Sequence, residues 1–143
     1  IGRENYFRFF GPKGFIESQI LLKSSNIEMF MDEFLNLFKK INPTITLFSL
    51  KNMRGEHNYL RFEDNSICLS FDFTNTKKNK EFMKHIDGLC VKYKAIPSII
   101  KDSRLSKETV NNCYVYSQNF RDKLKSYDRK RVYQSAISKK LDL

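Results

Sequence analysis

The chain has 143 residues, 41% hydrophobic and 29% charged, with thirteen Phe, seven Tyr and no Trp, enough for one domain with an aromatic-rich core and too apolar for a disordered chain. No stretch approaches the ~20 apolar residues that a membrane span requires, and Ile1-Gly2-Arg3-Glu4-Asn5 carries neither an initiator Met nor a signal-peptide pattern, so a spanning helix is excluded and a piece cut from a longer protein is not. Lys and Arg number 26 against 16 acids; before Thr76 there are 9 of each sign and from there on 17 against 7, so the net charge of +10 lies in the second half.

In chain order, Phe15 to Leu22 alternates, placing Ile16, Ser18, Ile20 and Leu22 on one face and Glu17 with Gln19 on the other, which predicts a strand. Ser25 followed by Glu28 predicts a capping box. Apolar residues then recur at helical spacing from Ile27 through Phe38 to Ile41, and Asn42-Pro43 stops the helix. Ile45, Leu47 and Ser49 alternate with Thr46, Phe48 and Leu50 in a second strand, which delivers Lys51 to its end before Arg54-Gly55 opens a loop. Ile67, Leu69, Phe71 and Phe73 form one face of a third strand, with Cys68, Ser70 and Asp72 on the other. Lys77 to Tyr93 is an amphipathic helix whose apolar stripe is Phe82, Ile86, Leu89, Cys90 and Tyr93. Ala95 to Ile100, interrupted by Pro97, predicts an edge strand ending at Lys101. A helical tail follows from about Lys107 to Leu141, with Ser126 and Asp128 offering a cap. With no repeat or flexible linker, residues 1–143 form a single α+β domain: an antiparallel sheet, helices packed on one face, and a helical C-terminal tail.

Spacing alone yields no catalytic motif. There is no Gly-rich phosphate loop, no GxSxG elbow and no paired His, and His57 and His85 read as surface residues. Cys68, Cys90 and Cys113 lack any CxxC spacing, so neither a disulfide framework nor a zinc site is indicated, and the thiols read as small core hydrophobes. Glu17, Gln19, Cys68, Ser70 and Asp72 share the polar side of their strands by parity, a face that can line a cleft. Asp72 there is either a solvated or salt-bridged acid or a buried carboxylate needing partners. The basic second half, with Tyr114, Tyr116, Phe120, Tyr127 and Tyr133 interleaved, is compatible with a binding module for nucleic acid or an anionic membrane surface, although aromatics at these spacings more often belong to helix cores.

The run Lys101-Asp102-Ser103-Arg104-Leu105-Ser106-Lys107-Glu108-Thr109 resembles the K-D-S-R-x-S/T-A-E-T signature of the decaprenylphosphoryl-ribose 2′-oxidases. Phe10-Gly11-Pro12-Lys13-Gly14-Phe15 with Gln19 is similar to their Y-G-P-x-G-F-x-x-Y-Q. Leu50-Lys51 is similar to their L-K or F-K pair, Leu60-Arg61-Phe62 to L-S-F, Phe71-Asp72-Phe73 to V-D-F or L-D-F, and Val132 to Leu141 to V-F-x-S-D-x-A-R-R-L. These matches run in order along nearly the whole chain.

The family sits in the vanillyl-alcohol oxidase group with the sugar-1,4-lactone oxidases. The resemblance implies the C-terminal, substrate-side domain of an FAD-linked oxidoreductase whose N-terminal FAD-binding domain is not in this sequence. The implied reaction is oxidation of a sugar hydroxyl of a polyprenylphosphoryl ribose to a ketone by hydride transfer to flavin, a step in its epimerisation to an arabinan precursor of the cell wall. A short-chain reductase would be the partner, and the location cytoplasmic or at a membrane surface. The isolated piece is expected to be inactive. By the same resemblance Lys101 lies beside flavin and substrate as catalytic and cofactor-binding residue. Lys51, Gln19, Ser70 and Asp72 line the substrate pocket, with no metal. Ser70 and Ser98 stand where family members carry Cys and Tyr, Glu17-Ser18 where they carry Gln and Tyr, and Ala136 where they carry Asp. These changes alter the pocket wall, and the sugar with it. A sugar-1,4-lactone oxidase domain and a non-catalytic basic binding module are the alternatives.

Overall fold

The computed structural model describes residues 5, 8 and 10–143; the N-terminal run Ile1 to Glu4 lies outside the described residues. The elements are β1 (Phe15–Leu22), a 3₁₀ turn (Ser24–Asn26), α1 (Ile27–Ile41), β2 (Ile45–Met53), β3 (Ser66–Thr74), α2 (Lys77–Lys92), β4 (Ile96–Pro97), α3 (Lys107–Cys113), α4 (Ser117–Tyr127) and α5 (Ala136–Leu141). The strands form one sheet in the order β2-β3-β1-β4, with every neighbouring pair antiparallel. The fold is α+β, as the sequence indicates.

Phe71 and Phe73, on the strictly apolar side of β3, explain which face the helices cover. Phe71 stacks with Phe34 of α1 at 5.1 Å and meets Phe48 of β2 at 5.0 Å, while Phe73 and Phe34 both contact Phe82 of α2, at 5.9 and 5.4 Å between ring centroids. Phe30, Phe71, Phe73 and Phe82 are at most 1% exposed, and burying each such ring stabilises the fold by roughly 2–3 kcal/mol.

The local signals have particular causes. Gly11 and Gly14 flank Pro12-Lys13 with φ of 70° and 69°, left-handed values that a β-carbon disfavours, and the Gly14 N–H donates to the Gly11 carbonyl at 3.1 Å. Asn75 ties this turn to the end of β3, its N–H donating to the Gly14 carbonyl and its side-chain amide to that of Lys13. Asn42 ends α1 in the left-handed region at φ 50°. Asn79, fully buried, donates to the Thr44 and Thr74 carbonyls and accepts the Thr44 N–H at 2.9 Å. One satisfied amide thus joins the start of β2, the end of β3 and the first turn of α2.

Four local expectations are corrected. Ser25 lies in the 3₁₀ turn and forms no capping box; α1 is capped at Asn26, whose side-chain amide goes instead to the Tyr93 carbonyl at 3.0 Å. β2 has a register shift between Ile45 and Leu47, where the Thr46 hydroxyl donates to the Asp72 carbonyl. That bulge puts Phe48 and Leu50 with Ile45 on the helix-covered face, and leaves Leu47, Ser49 and Lys51 on the other. β4 is only Ile96–Pro97, so Lys101 follows a turn rather than ending a strand.

The tail, finally, is three helices. Ser126 lies inside α4, its hydroxyl donating to the Lys123 carbonyl, while Asp128 ends that helix and accepts the N–H groups of Val132 and Tyr133 at 2.8 and 2.9 Å. Arg121 then holds the C-terminus down, donating to the Asp142 and Leu141 carbonyls, and Leu141 and Leu143 enter the core.

Candidate functional site

The side of the sheet away from α1 and α2 carries the polar residues of three strands, and the register places them in rows. Glu17 lies opposite Asp72, which lies opposite Leu47; Gln19, Ser70 and Ser49 form the next row, and Leu21, Cys68 and Lys51 the one after. Strands sit ~4.8 Å apart and alternate residues ~6.8 Å apart along a strand, so these side chains share one patch. The central strand is the floor: Cys68, Ser70 and Asp72 are 2%, 8% and 6% exposed, and Asp72 is partnered rather than free. Asp72 is therefore buried rather than solvated.

Glu17 organises one end of the patch. Its carboxylate accepts the Gln19 amide N–H at 2.8 Å on one oxygen and the Lys101 ammonium at 3.2 Å on the other. Lys101 is held there by its turn, in which the Ser98 carbonyl accepts the Asp102 N–H at 3.0 Å and the Ser98 hydroxyl accepts the Lys101 N–H at 3.4 Å. Beside the pair is an open depression lined by Ile16, Asn75, Lys80, Ile100, Ser103 and Arg104.

Of the next residues of the Lys-Asp-Ser-Arg run, Ser103 is exposed while Asp102 and Arg104 turn into the protein. Arg104 makes a two-pronged ion pair with Asp87 of α2, at 2.6 and 2.7 Å, and reaches Asp102 at 2.8 Å. Asp102 is 1% exposed; burial raises its carboxyl above the usual range and the Arg104 guanidinium offsets part of that rise. This cluster clamps the turn that presents Lys101.

Lys51 is exposed and sits two rows from Glu17 on the far side of β3. Strand geometry separates it from Glu17, which holds Lys101, by on the order of 17 Å at the backbone, so the two ammoniums serve different parts of any ligand. Between them the Cys68 thiol is pushed up, first by burial, with Lys51 lowering it and Glu17 raising it in smaller measure. With its 2% exposure it belongs to the floor with Ser70 and Asp72.

The structure thus brings Lys101 and Gln19 together through Glu17, pairs Asp72 with Glu17 and Ser70 with Gln19 across the strands, and leaves Lys51 as a separate charge on the same face; none of Gln19, Ser70, Asp72 and Lys51 lines the depression beside Lys101. Sequence reasoning named Glu17 as a polar-face residue but not as the bridge, although its parity with Gln19 carried the signal. It missed Asp87, for which an acid on the solvated side of a lysine-rich helix gives no sign.

The remaining candidates fall outside the patch. His57 lies against Tyr114 and Tyr116 with Nδ1 on the Arg61 carbonyl, and His85 is exposed on α2. Tyr114 is buried with its hydroxyl donating to the Pro97 carbonyl at 2.7 Å, which makes it core, while Tyr127 and Tyr133 are exposed. Among the described residues no group of His, Cys, Asp and Glu could hold a metal ion, and no helix is long and apolar enough to cross a membrane. No family model matches the chain, and no curated protein sequence matches it.

Proposed function

We propose that this chain is the substrate-side domain of an FAD-dependent oxidoreductase that oxidises a hydroxyl of a sugar carrying a phosphate or polyprenylphosphate to a ketone. The observation that carries the reading is the fixed placement of Lys101 beside Gln19 through Glu17 on a polar sheet face, together with the ordered sequence resemblance. The donor set fits the group: an ammonium and an amide at one end can meet the carbonyl edge of a flavin ring and the sugar's oxygens, and the second ammonium of Lys51 suits an anionic phosphate. When bound, FAD supplies the hydride acceptor.

The chain's own residues then have distinct tasks. Lys101 holds positive charge where negative charge develops on the reacting oxygen. Gln19 donates to and accepts from a sugar hydroxyl, and Glu17 keeps both oriented. Ser70 and Asp72 set the depth of the floor, and Lys51 anchors the phosphate. Ser98, buried with its hydroxyl accepting the Lys101 N–H, stands where the resembling family carries Tyr, and Ser70 stands where it carries Cys.

The test is kinetic, in the full-length protein with its upstream region. Lys101→Ala lowers kcat by about 10²–10³, whereas Lys51→Ala raises KM for a phosphorylated sugar and leaves kcat nearly unchanged. Unchanged turnover in Lys101→Ala removes the catalytic assignment.

A further inference from the structure

The loop between α4 and α5 lies outside the candidate site, yet it is held in a definite shape. Asp128 is buried, its carboxylate accepts the N–H groups of Val132 and Tyr133, and its carbonyl accepts the Arg131 N–H at 2.9 Å. The Arg131 guanidinium donates in turn to the Leu143 carbonyl. The backbone is thus wound around one acid, while Tyr127, Val132 and Tyr133 project from it, 80%, 69% and 84% exposed. An ordered loop that holds three large side chains of this kind in water marks an interaction surface. Cations flank them. Lys125, Arg129 and Lys130 are exposed, and among the described residues no carboxylate pairs with any of them. Over residues 123–140 seven cations stand against a single acid, the buried Asp128.

Charge and shape select the occupant. The excess of cations is local to this loop, so the same loop of a second copy would meet it with like charge, and a polyanion is the complement. A nucleic acid satisfies the cations and can stack on the two Tyr rings, but it gains nothing from Val132. A bilayer interface answers both sets of groups. Its anionic headgroups take the ammonium and guanidinium groups, and rings with a hydroxyl together with an aliphatic side chain settle at the boundary between headgroups and acyl chains. A protruding loop, rather than a groove, is also the shape that enters a planar surface.

We propose that the loop 127–133 docks the protein on an anionic membrane surface. Tyr127, Val132 and Tyr133 enter the headgroup layer, and Lys125, Arg129 and Lys130 pair with lipid phosphates; the protein lies on the bilayer without crossing it. None of these residues belongs to the candidate site, so the docking surface stands independently of the flavoprotein reading.

Co-sedimentation of the protein, expressed from its own start codon, with vesicles of phosphatidylcholine alone or with about one-third phosphatidylglycerol tests it. Binding is expected with the anionic vesicles only, and to fall about tenfold between about 0.1 M and about 0.5 M salt. Val132→Ser with Tyr133→Ser, and separately Arg129→Gln with Lys130→Gln, are each expected to weaken it about tenfold. All four side chains are exposed, so the unfolding midpoints stay where they were. Hydrogen exchange in 127–133 slows when the anionic vesicles are added. A protein that does not pellet with the anionic vesicles overturns the proposal; if 127–133 is then protected without vesicles, another part of the chain covers the loop. Binding that the serine variant retains in full places the contact elsewhere and overturns the loop's role. Single-stranded RNA bound without any pelleting on vesicles, and lost in the same variants, overturns it in favour of a nucleic acid.

Discussion

Replacing Arg104 by Met, similar in length and uncharged, strips the cation from Asp102 while keeping most of the packing. The Asp102 carboxylate is fully buried, and the Arg104 and Asp87 side chains are 23% and 17% exposed. Removing one partner of a buried ion pair costs about 3–5 kcal/mol, and the partial exposure of Arg104 and Asp87 places this case near about 3 kcal/mol. For a chain of this length that is a fall in Tm on the order of 10 °C. The linkage has a definite sign. Without Arg104 the Asp102 carboxyl, already raised by burial, rises further, and a group whose folded pKa is raised stabilises the fold when protonated and loses that contribution as pH rises through the folded value. Arg104→Met is therefore less destabilising at pH 4 than at pH 7, and adding Asp102→Asn recovers part of the loss at pH 7. Urea unfolding of the three variants at both pH values measures this. A cost below about 1 kcal/mol, or one equal at the two pH values, refutes the clamp.

Three further outcomes are expected. Burial raises all three thiols, Cys113 to about 12 and Cys90 well above its ordinary value, so the native protein stays unreactive to a disulfide reagent at pH 8 until unfolded; fast labelling of any one before unfolding contradicts this. Glu33 is held below its ordinary value by hydrogen bonds from Lys92 and Tyr93, and Asp64, although raised by burial, is brought below it by Lys23. Depressed carboxylates stabilise above their unfolded pKa and lose that as pH falls through the folded one. Glu33→Gln and Asp64→Asn therefore flatten the loss of stability between pH 5 and pH 3, as followed by urea midpoints, whereas Asp102→Asn steepens it; slopes of the opposite order sink the assignment. Gly14→Ala, which forces a β-carbon into φ of 69° with open space around it, costs about 1 kcal/mol through backbone strain alone; an unchanged unfolding midpoint means that the turn relaxes.

β1, β3 and α1 were legible in the sequence because each carries a single uninterrupted period ending at a breaker. The clean alternation of Ile67 to Phe73 also told which face would meet the helices. Thr46 concealed the bulge in β2: a good strand former gives no break in composition, yet its hydroxyl finds the Asp72 carbonyl and the register shifts. Ser25 and Glu28 have the spacing of a capping box, but Asn26 is drawn to Tyr93, 67 residues away, and the helix starts one residue later than that box requires. In the tail the sequence offers Ser126 and Asp128 as a cap; in the structure Asp128 closes the helix before it and folds the next five residues around its carboxylate. At the candidate site, parity placed Gln19, Ser70 and Asp72 on one face without any tertiary information. The Arg104–Asp87 pair joins a turn to a helix 17 residues away, and nothing in local pattern couples them.

The visible absorption spectrum of the protein expressed from its own start codon, titrated without oxygen against a polyprenylphosphoryl pentose and a sugar lactone, tests the central claim most directly. The account predicts a flavin spectrum that bleaches with the phosphorylated sugar and bleaches far more slowly in Lys101→Ala. A folded but colourless protein, or a flavin that no sugar reduces, contradicts it.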